Sequence, residues 1–272
     1  MDTIEALFEQ DGDYFIPSEN ASSPWGPTLL HGAATSGLIG YVVEQATDTD
    51  KMQLARLTID LFRPVPRERL KVTTRTLRQG RKIQVLEISL ICAEVEVVRA
   101  IAVLLIKQPL EVPKNGKPST NKPEGPEGIQ TRTFRSEGLA DNVKLPPGFH
   151  NVMEARPLRL DIEYGSGNGT VWLRIPNRII AGVDNTPLMV IAAISDLGNG
   201  MSQLRINDET GIINADISMH LYRELQGEWV GLDAQTRVDV SGVGIVETRL
   251  YDETGLLGFV NQACLASPVY KP

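Results

Sequence analysis

Cysteine and histidine are scarce in this chain, and their scarcity removes several kinds of chemistry. Of 272 residues, two are Cys and three are His. Cys92 and Cys264 both fall in apolar, strand-like runs, so buried reduced thiols are expected rather than a disulfide or a nucleophile. His31, His150 and His220 lack metal-ligand spacing, and neither a metal nor another cofactor is expected. No run of eighteen apolar residues occurs, which removes a membrane-spanning helix. The stretch Met1 to Glu9 is acidic, the wrong character for a signal or transit peptide, so a cytoplasmic protein is expected. Familiar catalytic signatures are missing too: no Gly-x-Ser-x-Gly elbow, no Gly-x-x-x-x-Gly-Lys-Ser/Thr loop, no Gly-x-Gly-x-x-Gly after a strand and no His-Glu-x-x-His. Gly165 to Gly169 is glycine-rich, and a hairpin turn accounts for it.

Positive charge is also short overall. The formal net charge is −7, which argues against nucleic acid as a partner. The average hides a local reversal. Arg63 to Lys82 holds Arg63, Arg67, Arg69, Lys71, Arg75, Arg78, Arg81 and Lys82 against Glu68 alone. For any one of these residues a solvated hairpin face is the simpler reading. As a cluster on an acidic protein they point to an anionic ligand.

What the chain does have is a repeat. Ala55 to Arg63 (Ala-Arg-Leu-Thr-Ile-Asp-Leu-Phe-Arg) aligns without a gap on Ala215 to Arg223 (Ala-Asp-Ile-Ser-Met-His-Leu-Tyr-Arg), at a constant offset of 160 residues. Two copies of one supersecondary unit are the expectation. Gly32 to Ala46, rich in small and apolar residues nearly all round, reads as a buried helix. Strands follow at 54–62, 70–77, 83–92 and 95–106, with a tight turn at Ala93-Glu94. Residues 109–150 carry seven prolines and read as a linker between units spanning 1–108 and 151–272. The second unit repeats the order: strands at 158–164 and 169–174, a helix from Pro187 to Leu197 capped by Gly198, then strands at 212–222, 229–240, 244–251 and 256–265. The fold class is α+β.

Several segments carry a family resemblance: Pro24-Trp-Gly-Pro-Thr-Leu-Leu-His-Gly-Ala33, Phe62-Arg-Pro-Val-Pro66, Ile194-Ser-Asp-Leu-Gly-Asn-Gly200, Met219-His-Leu-Tyr-Arg223 and Gly255-Leu-Leu-Gly-Phe-Val-Asn-Gln262. In order and spacing the chain resembles the acyl-CoA thioesterases of the thioesterase II type. The resemblance implies a tandem double hotdog, with two antiparallel sheets each wrapping one long helix. It also implies an acyl-CoA substrate, hydrolysis to a carboxylic acid and free coenzyme A, and a homodimer or higher homo-oligomer.

In related single-hotdog thioesterases, a His-Gly at the helix start offers a backbone N–H to the thioester oxygen, and a carboxylate nine residues on acts across the interface. Here nine residues past His31 is Gly40, and nine before Asp196 is Pro187. The halves are therefore complementary, and one composite site is expected. Asp196 is its water-directing carboxylate, and Gly32 and Ala33 supply the amides. His31 caps the helix start, and Trp25 packs as a wall. The resemblance makes Gln262 and Asn214 the partners of Asp196. Asn214 stands where the family has a hydroxyl, and its parity along the strand opposes Ile217 and Met219, so it reaches Asp196 only at a strand end or bulge. Near Ala100, the first half offers no counterpart to Gln262. Arg75, Arg78 and Lys82 are expected at the phosphates of coenzyme A. An acid near the end of its own helix opposes the dipole, which favours a functional role for Asp196 over an ordinary one. A non-catalytic acyl-CoA or acyl-chain binding protein on the same fold is the alternative, and a hotdog hydratase lacks its usual Asp and His pairing here.

Overall fold

The computed structural model describes residues 6–24, 26–117, 122–133, 147–160, 165–207 and 209–268. In the first half, β1 (Phe8–Asp11) and β2 (Tyr14–Pro17) form a hairpin, and β3 (Ser22–Ser23) pairs with β4 (Gly26–Leu30) just before α1 (Gly32–Gln45). Four long strands follow: β5 (Met52–Leu61), β6 (Leu70–Gln79), β7 (Ile83–Cys92) and β8 (Val95–Ile106). The second half holds β9 (Arg132–Thr133), β10 (Glu154–Leu160), β11 (Asn168–Arg174), α2 (Pro187–Ser195), α3 (Gly198–Met201), β12 (Thr210–Asn214), β13 (Asp216–Leu221), β14 (Val230–Val238), β15 (Val243–Asp252) and β16 (Gly255–Pro268).

Each half makes an antiparallel sheet, and the two run together edge to edge. The strand order is β1-β2-β6-β7-β8-β5-β13-β16-β15-β14-β11-β10-β9, with β12 also on β16. The join is made by the repeat itself. β5 pairs with β13 so that Thr58 faces Ser218, its own counterpart, and Leu57 and Ile59 face Met219 and Ile217. An approximate two-fold axis therefore passes between the two copies. Leu57, Ile59, Ile217 and Met219 are wholly buried, and each such side chain contributes about 1.5–3 kcal/mol relative to exposure.

The helices lie in the middle of the core. α1 buries residues on every side, as its small, apolar sequence requires. α2 starts on the Thr186 hydroxyl, which accepts the Met189 N–H at 3.2 Å, with Pro187 in its first turn. They run antiparallel: Gly32 lies against Asp196, and Gly40 against Leu188 and Ala192. Gly198 does not cap α2 as expected. Asp196 is the capping residue, in right-handed helical conformation, and Gly198 opens α3. Its glycine answers crowding instead, since a Cβ there would come within 3.0 Å of the Gln262 Oε1 and closer still to the Thr248 hydroxyl.

The expected strand 212–222 is broken in two. β12 pairs with β16 as Asn214 opposite Cys264, while β13 pairs as Ser218 opposite Asn261, so one extra residue is accommodated around Ala215. The first half has the same shift between Leu54 and Arg56, around Ala55. The bulge lies at the same place in both copies and reverses which parity faces inward. Met52 and Leu54 are buried before it, and Leu57 and Ile59 after it.

The segment 122–133 lies along the edge of the second sheet. β9 pairs with β10, the Trp172 indole donates to the Glu124 carbonyl at 2.7 Å, and Arg156 donates to the Pro126 carbonyl at 3.0 Å. Leu7 and Phe8 donate to the carbonyls of Arg178 and Ile179, both at 2.9 Å, tying the chain start to the second half. The turn at Ala93-Glu94 has φ of 47° and 65°, the left-handed pair that a two-residue hairpin uses. Among the described residues no helix is long and apolar enough to cross a membrane, and no group of acidic, His and Cys side chains is arranged to hold a metal ion.

Candidate active site

Asp196 closes α2 at the point where its carboxylate reaches across to the amino end of α1. On its own helix that charge faces the negative end of the dipole. The antiparallel packing offsets this, because the positive end of α1 stands opposite. The carboxylate rests on the Gly32 Cα, where a Cβ would come within 2.5 Å of Oδ1 and 2.7 Å of Oδ2. Any other residue at position 32 would displace it. Asp196 is 8% exposed, so it is shielded from bulk water without being sealed.

Asn214 holds this carboxylate directly. Its Nδ2 donates to Asp196 Oδ1 at 3.0 Å. The bulge around Ala215 makes that possible, because it puts Asn214 on the inward face together with Ile217 and Met219, against the simple parity of the sequence. In the first half the equivalent position is Leu54, an apolar core residue.

Gln262 differs from expectation. It is wholly buried, its Nε2 donates to the main-chain carbonyl of Asp196 at 3.2 Å, and its Oε1 accepts the Asn199 N–H at 3.2 Å. Both ends of the amide are spent on the backbone of the α2–α3 junction, and neither touches the carboxylate. Gln262 therefore fixes where Asp196 starts, and Asn214 fixes where its carboxylate ends. Strand register makes Ala102, two residues past Ala100, the first-half counterpart of Gln262.

His31 caps the helix start as expected, and that cap is what makes Ala33 differ from expectation. The His31 Nδ1 accepts the Ala33 N–H at 3.0 Å, so that amide is taken up by the cap and does not face an open site. The Gly32 N–H makes no hydrogen bond among the described residues, as the first position of a helix has no intrahelical acceptor. Nδ1 of His31 also lies 3.4 Å from Asp196 Oδ2, and its ring packs on Phe149 with centroids 4.9 Å apart. Trp25 lies outside the described residues.

The basic hairpin is elsewhere. Gln84, near the tip of the β6–β7 hairpin, donates to the Ala46 carbonyl at the carboxyl end of α1, and Arg78 pairs with the neighbouring Val85. Arg78 and Lys82 are thus separated from Asp196 by the length of a fourteen-residue helix, about 21 Å at 1.5 Å per residue. Arg75 is paired with Glu87, Nε at 3.0 Å and Nη2 at 2.9 Å from Oε1. The structure brings together Asp196, Asn214, Gln262, Gly32, Ala33 and His31, and it leaves the three basic residues apart.

Gly198, Asn199 and Thr248 carry no local sign in the sequence of a place beside Asp196 and Gln262. Gly198-Asn-Gly200 reads as a helix end, and only the crowding of Thr248 and Gln262 against Gly198 shows why a glycine stands there.

A buried helix held by an antiparallel sheet, duplicated and joined about a two-fold axis, with a carboxylate of one copy on the helix start of the other, is the double hotdog. The model of the acyl-CoA thioesterase N-terminal domain matches residues 21–105, and that of the acyl-CoA thioesterase C-terminal domain matches residues 123–266. The chain belongs to the acyl-CoA thioesterase family. Solved structures of similar fold include an acyl-CoA thioesterase II TesB2 from Mycobacterium marinum, with 15% identity, 97% of both chains covered and a TM-score of 0.64. A tesB protein from Mycobacterium avium subspecies paratuberculosis has 14% identity, 98% and 97% coverage and a TM-score of 0.65. A hot dog fold protein of unknown function from Alicyclobacillus acidocaldarius has 14% identity, 96% coverage of both chains and a TM-score of 0.70. No curated protein matches the sequence.

Proposed function

We propose that this protein hydrolyses the thioester of an acyl-CoA to a carboxylic acid and free coenzyme A, with Asp196 directing the attacking water. The observation that carries the reading is the Asp196 carboxylate seated on Gly32 at the amino end of α1. A helix start presents N–H groups pre-aimed at an oxygen that becomes an anion, and a carboxylate beside it can take the proton of water as the hydroxide adds to the carbonyl carbon. Gly32 is the amide donor, Asn214 orients the carboxylate, and Gln262 acts on it through the backbone. Collapse of the tetrahedral species breaks the C–S bond and releases the thiol. Direct attack by Asp196 to give an anhydride is the competing use of the same carboxylate.

The deciding experiment is thiol release from a series of acyl-CoA substrates by the wild type and Asp196→Asn. The expected result is a folded variant that still binds acyl-CoA and loses kcat by about 100-fold or more. Unchanged turnover in Asp196→Asn defeats the role of Asp196. Saturable binding by the wild type with no free thiol from any acyl-CoA defeats the hydrolase and leaves a binding protein.

A further inference from the structure

One nitrogen of His31 is within reach of two groups that require opposite things of it. Nδ1 accepts the Ala33 N–H at 3.0 Å, which needs a lone pair. It also lies 3.4 Å from Asp196 Oδ2, and a carboxylate oxygen can only accept. No protonation state of the ring serves both. With its proton on Nε2, the ring caps α1 and turns a lone pair toward the carboxylate. With a proton on Nδ1, it donates to Asp196, and the Ala33 N–H loses its acceptor.

We infer that His31 is a positioning residue that releases the Ala33 amide to the substrate oxygen when Asp196 takes up the proton of the attacking water. The inference rests on the thioesterase reading above. In the addition step, the water proton goes to Asp196 Oδ2, the hydroxide oxygen bonds to the acyl carbon, and the carbonyl electron pair moves to oxygen. The proton at Oδ2 then passes to Nδ1 of His31. Nδ1 stops accepting from Ala33, whose N–H joins that of Gly32 at the new oxyanion. On collapse the C=O re-forms, the C–S bond breaks, and the thiolate takes the proton back, leaving His31 neutral and the cap restored. A second donor thus reaches the oxyanion once it has formed and is absent in the ground state, so it stabilises the tetrahedral species without tightening substrate binding.

Among the described residues, the charged group paired with His31 is Asp196. It faces the imidazole from the end of α2. The one-turn helix Phe149–Asn151, whose Phe149 ring packs on His31, carries the titratable His150. The one-turn helix Glu19–Ala21, whose Ala21 carbonyl accepts the His31 N–H at 2.9 Å, carries Glu19. A cap alone would be served as well by Asn or Ser. Neither can take up and hold a proton near neutral pH as an imidazole does, and that difference supplies the test.

His31→Asn keeps an oxygen to accept the Ala33 N–H and removes the proton carrier; His31→Ser is the second variant if the first misfolds. Two quantities are read: thiol release across pH, and the Ala33 amide resonance in an NMR pH titration of substrate-free protein. The expected results are a kcat lower by about 10-fold or more at unchanged KM, and an Ala33 signal that moves with pH in the wild type and stays put in the variant. Wild-type kcat in a folded capping variant makes His31 a cap only and overturns the inference. So does an Ala33 signal that ignores pH in the wild type. The NMR arm needs no turnover, so its failure is separable from a failure of the thioesterase reading, which is seen as absence of thiol release by the wild type.

Discussion

The two ends of the paired helices follow one plan and differ by one residue on each side. At one end Gly32 faces Asp196. At the other, Leu188 faces Gly40, the residues that the nine-residue spacing makes their counterparts. A carboxylate can lie on a helix start only if that start is glycine, and at the second end the carboxylate and the glycine have both gone. In their place the Leu188 carbonyl and the Ala192 methyl fill the gap, 3.1 and 3.0 Å from where a Cβ of residue 40 would be. The nearby carboxyl at that end, Glu44, is engaged by the Thr186 hydroxyl at 2.7 Å, and burial pushes its pKa up despite that bond. A site is therefore a matter of room as much as of having an acid. Duplication supplied two equivalent positions, and packing closed one of them.

Replacing each glycine by Ala separates the two ends most sharply. Gly32→Ala places a methyl against the Asp196 carboxylate, and the expected loss in kcat is about 10- to 100-fold with the fold kept, by analogy with a misplaced catalytic group. Gly40→Ala crowds Ala192 and Leu188 instead, so it is expected to lower Tm and leave kcat of the folded protein alone. Equal kcat losses in thiol-release assays of the two variants would show that the ends are not functionally distinct.

A smaller effect is expected from giving Asn214 the residue its counterpart has. Asn214→Leu copies Leu54 and removes the donor to Oδ1, with an expected drop in kcat of about 10-fold. Since Leu already fits the same bulge in the first half, little loss of stability should accompany it. A variant with full activity would mean that Gln262 and the backbone place Asp196 sufficiently by themselves.

A second difference between the halves concerns the last residue of the repeat. Arg63 and Arg223 are both Arg, but among the described residues only Arg223 is paired with an acid. Asp252, wholly buried, takes Arg223 Nη2 at 2.6 Å and the N–H groups of Gln226 and Thr254 at 3.0 and 2.8 Å. At the same offset the first half has Cys92. Burial alone would raise the Asp252 pKa, but Arg223 and Thr254 outweigh it and hold it at about 2, against 3.8 ordinarily. A pKa lowered by folding contributes stability that is complete above the unfolded value and is lost as pH falls through the folded one. Urea titrations between about pH 5 and 2 should therefore show about 2 kcal/mol of acid-labile stability that Asp252→Asn no longer has. An identical acid slope in that variant would exclude the pair as its source.

The smallest effect belongs to the basic hairpin. Reversing Arg78 and Lys82 acts at the far end of α1, beyond a Debye length of about 8–10 Å. The expected change in KM is less than about threefold, equal for acyl-CoA and for a short thioester lacking the nucleotide. A larger rise confined to acyl-CoA would show that the ligand runs the length of the helix to reach this cluster.

Much of the fold was legible because its signals are periodic and local. The strands Ile83–Cys92 and Val95–Ile106 and the turn at Ala93-Glu94 lie where alternation and punctuation put them. Pro187 opens its helix because its fixed φ suits the first turn. Gly198 misled, because a glycine after a helix has two explanations, a left-handed cap and a close approach, and only the second involves residues fifty or more positions away. For Asn214 to reach Asp196, its parity requires a strand end or bulge, but the place of the bulge at Ala215 has no local signal, since Ala does not mark one; its twin at Ala55 is visible only in strand register.

That this protein is a duplication, that its acid and its helix-start glycine lie in different halves, and that Asp196 has no twin can all be read from the residues alone. These are properties of residue identity at fixed spacing. Tertiary structure decided how those residues are used. It brought the negative end of α2 to the positive end of α1, turned Asn214 inward at the bulge, spent Gln262 on backbone, and set one nitrogen of His31 between Ala33 and Asp196. Each of those outcomes depends on a hydrogen bond, or on a few tenths of an ångström of room, that no local pattern specifies.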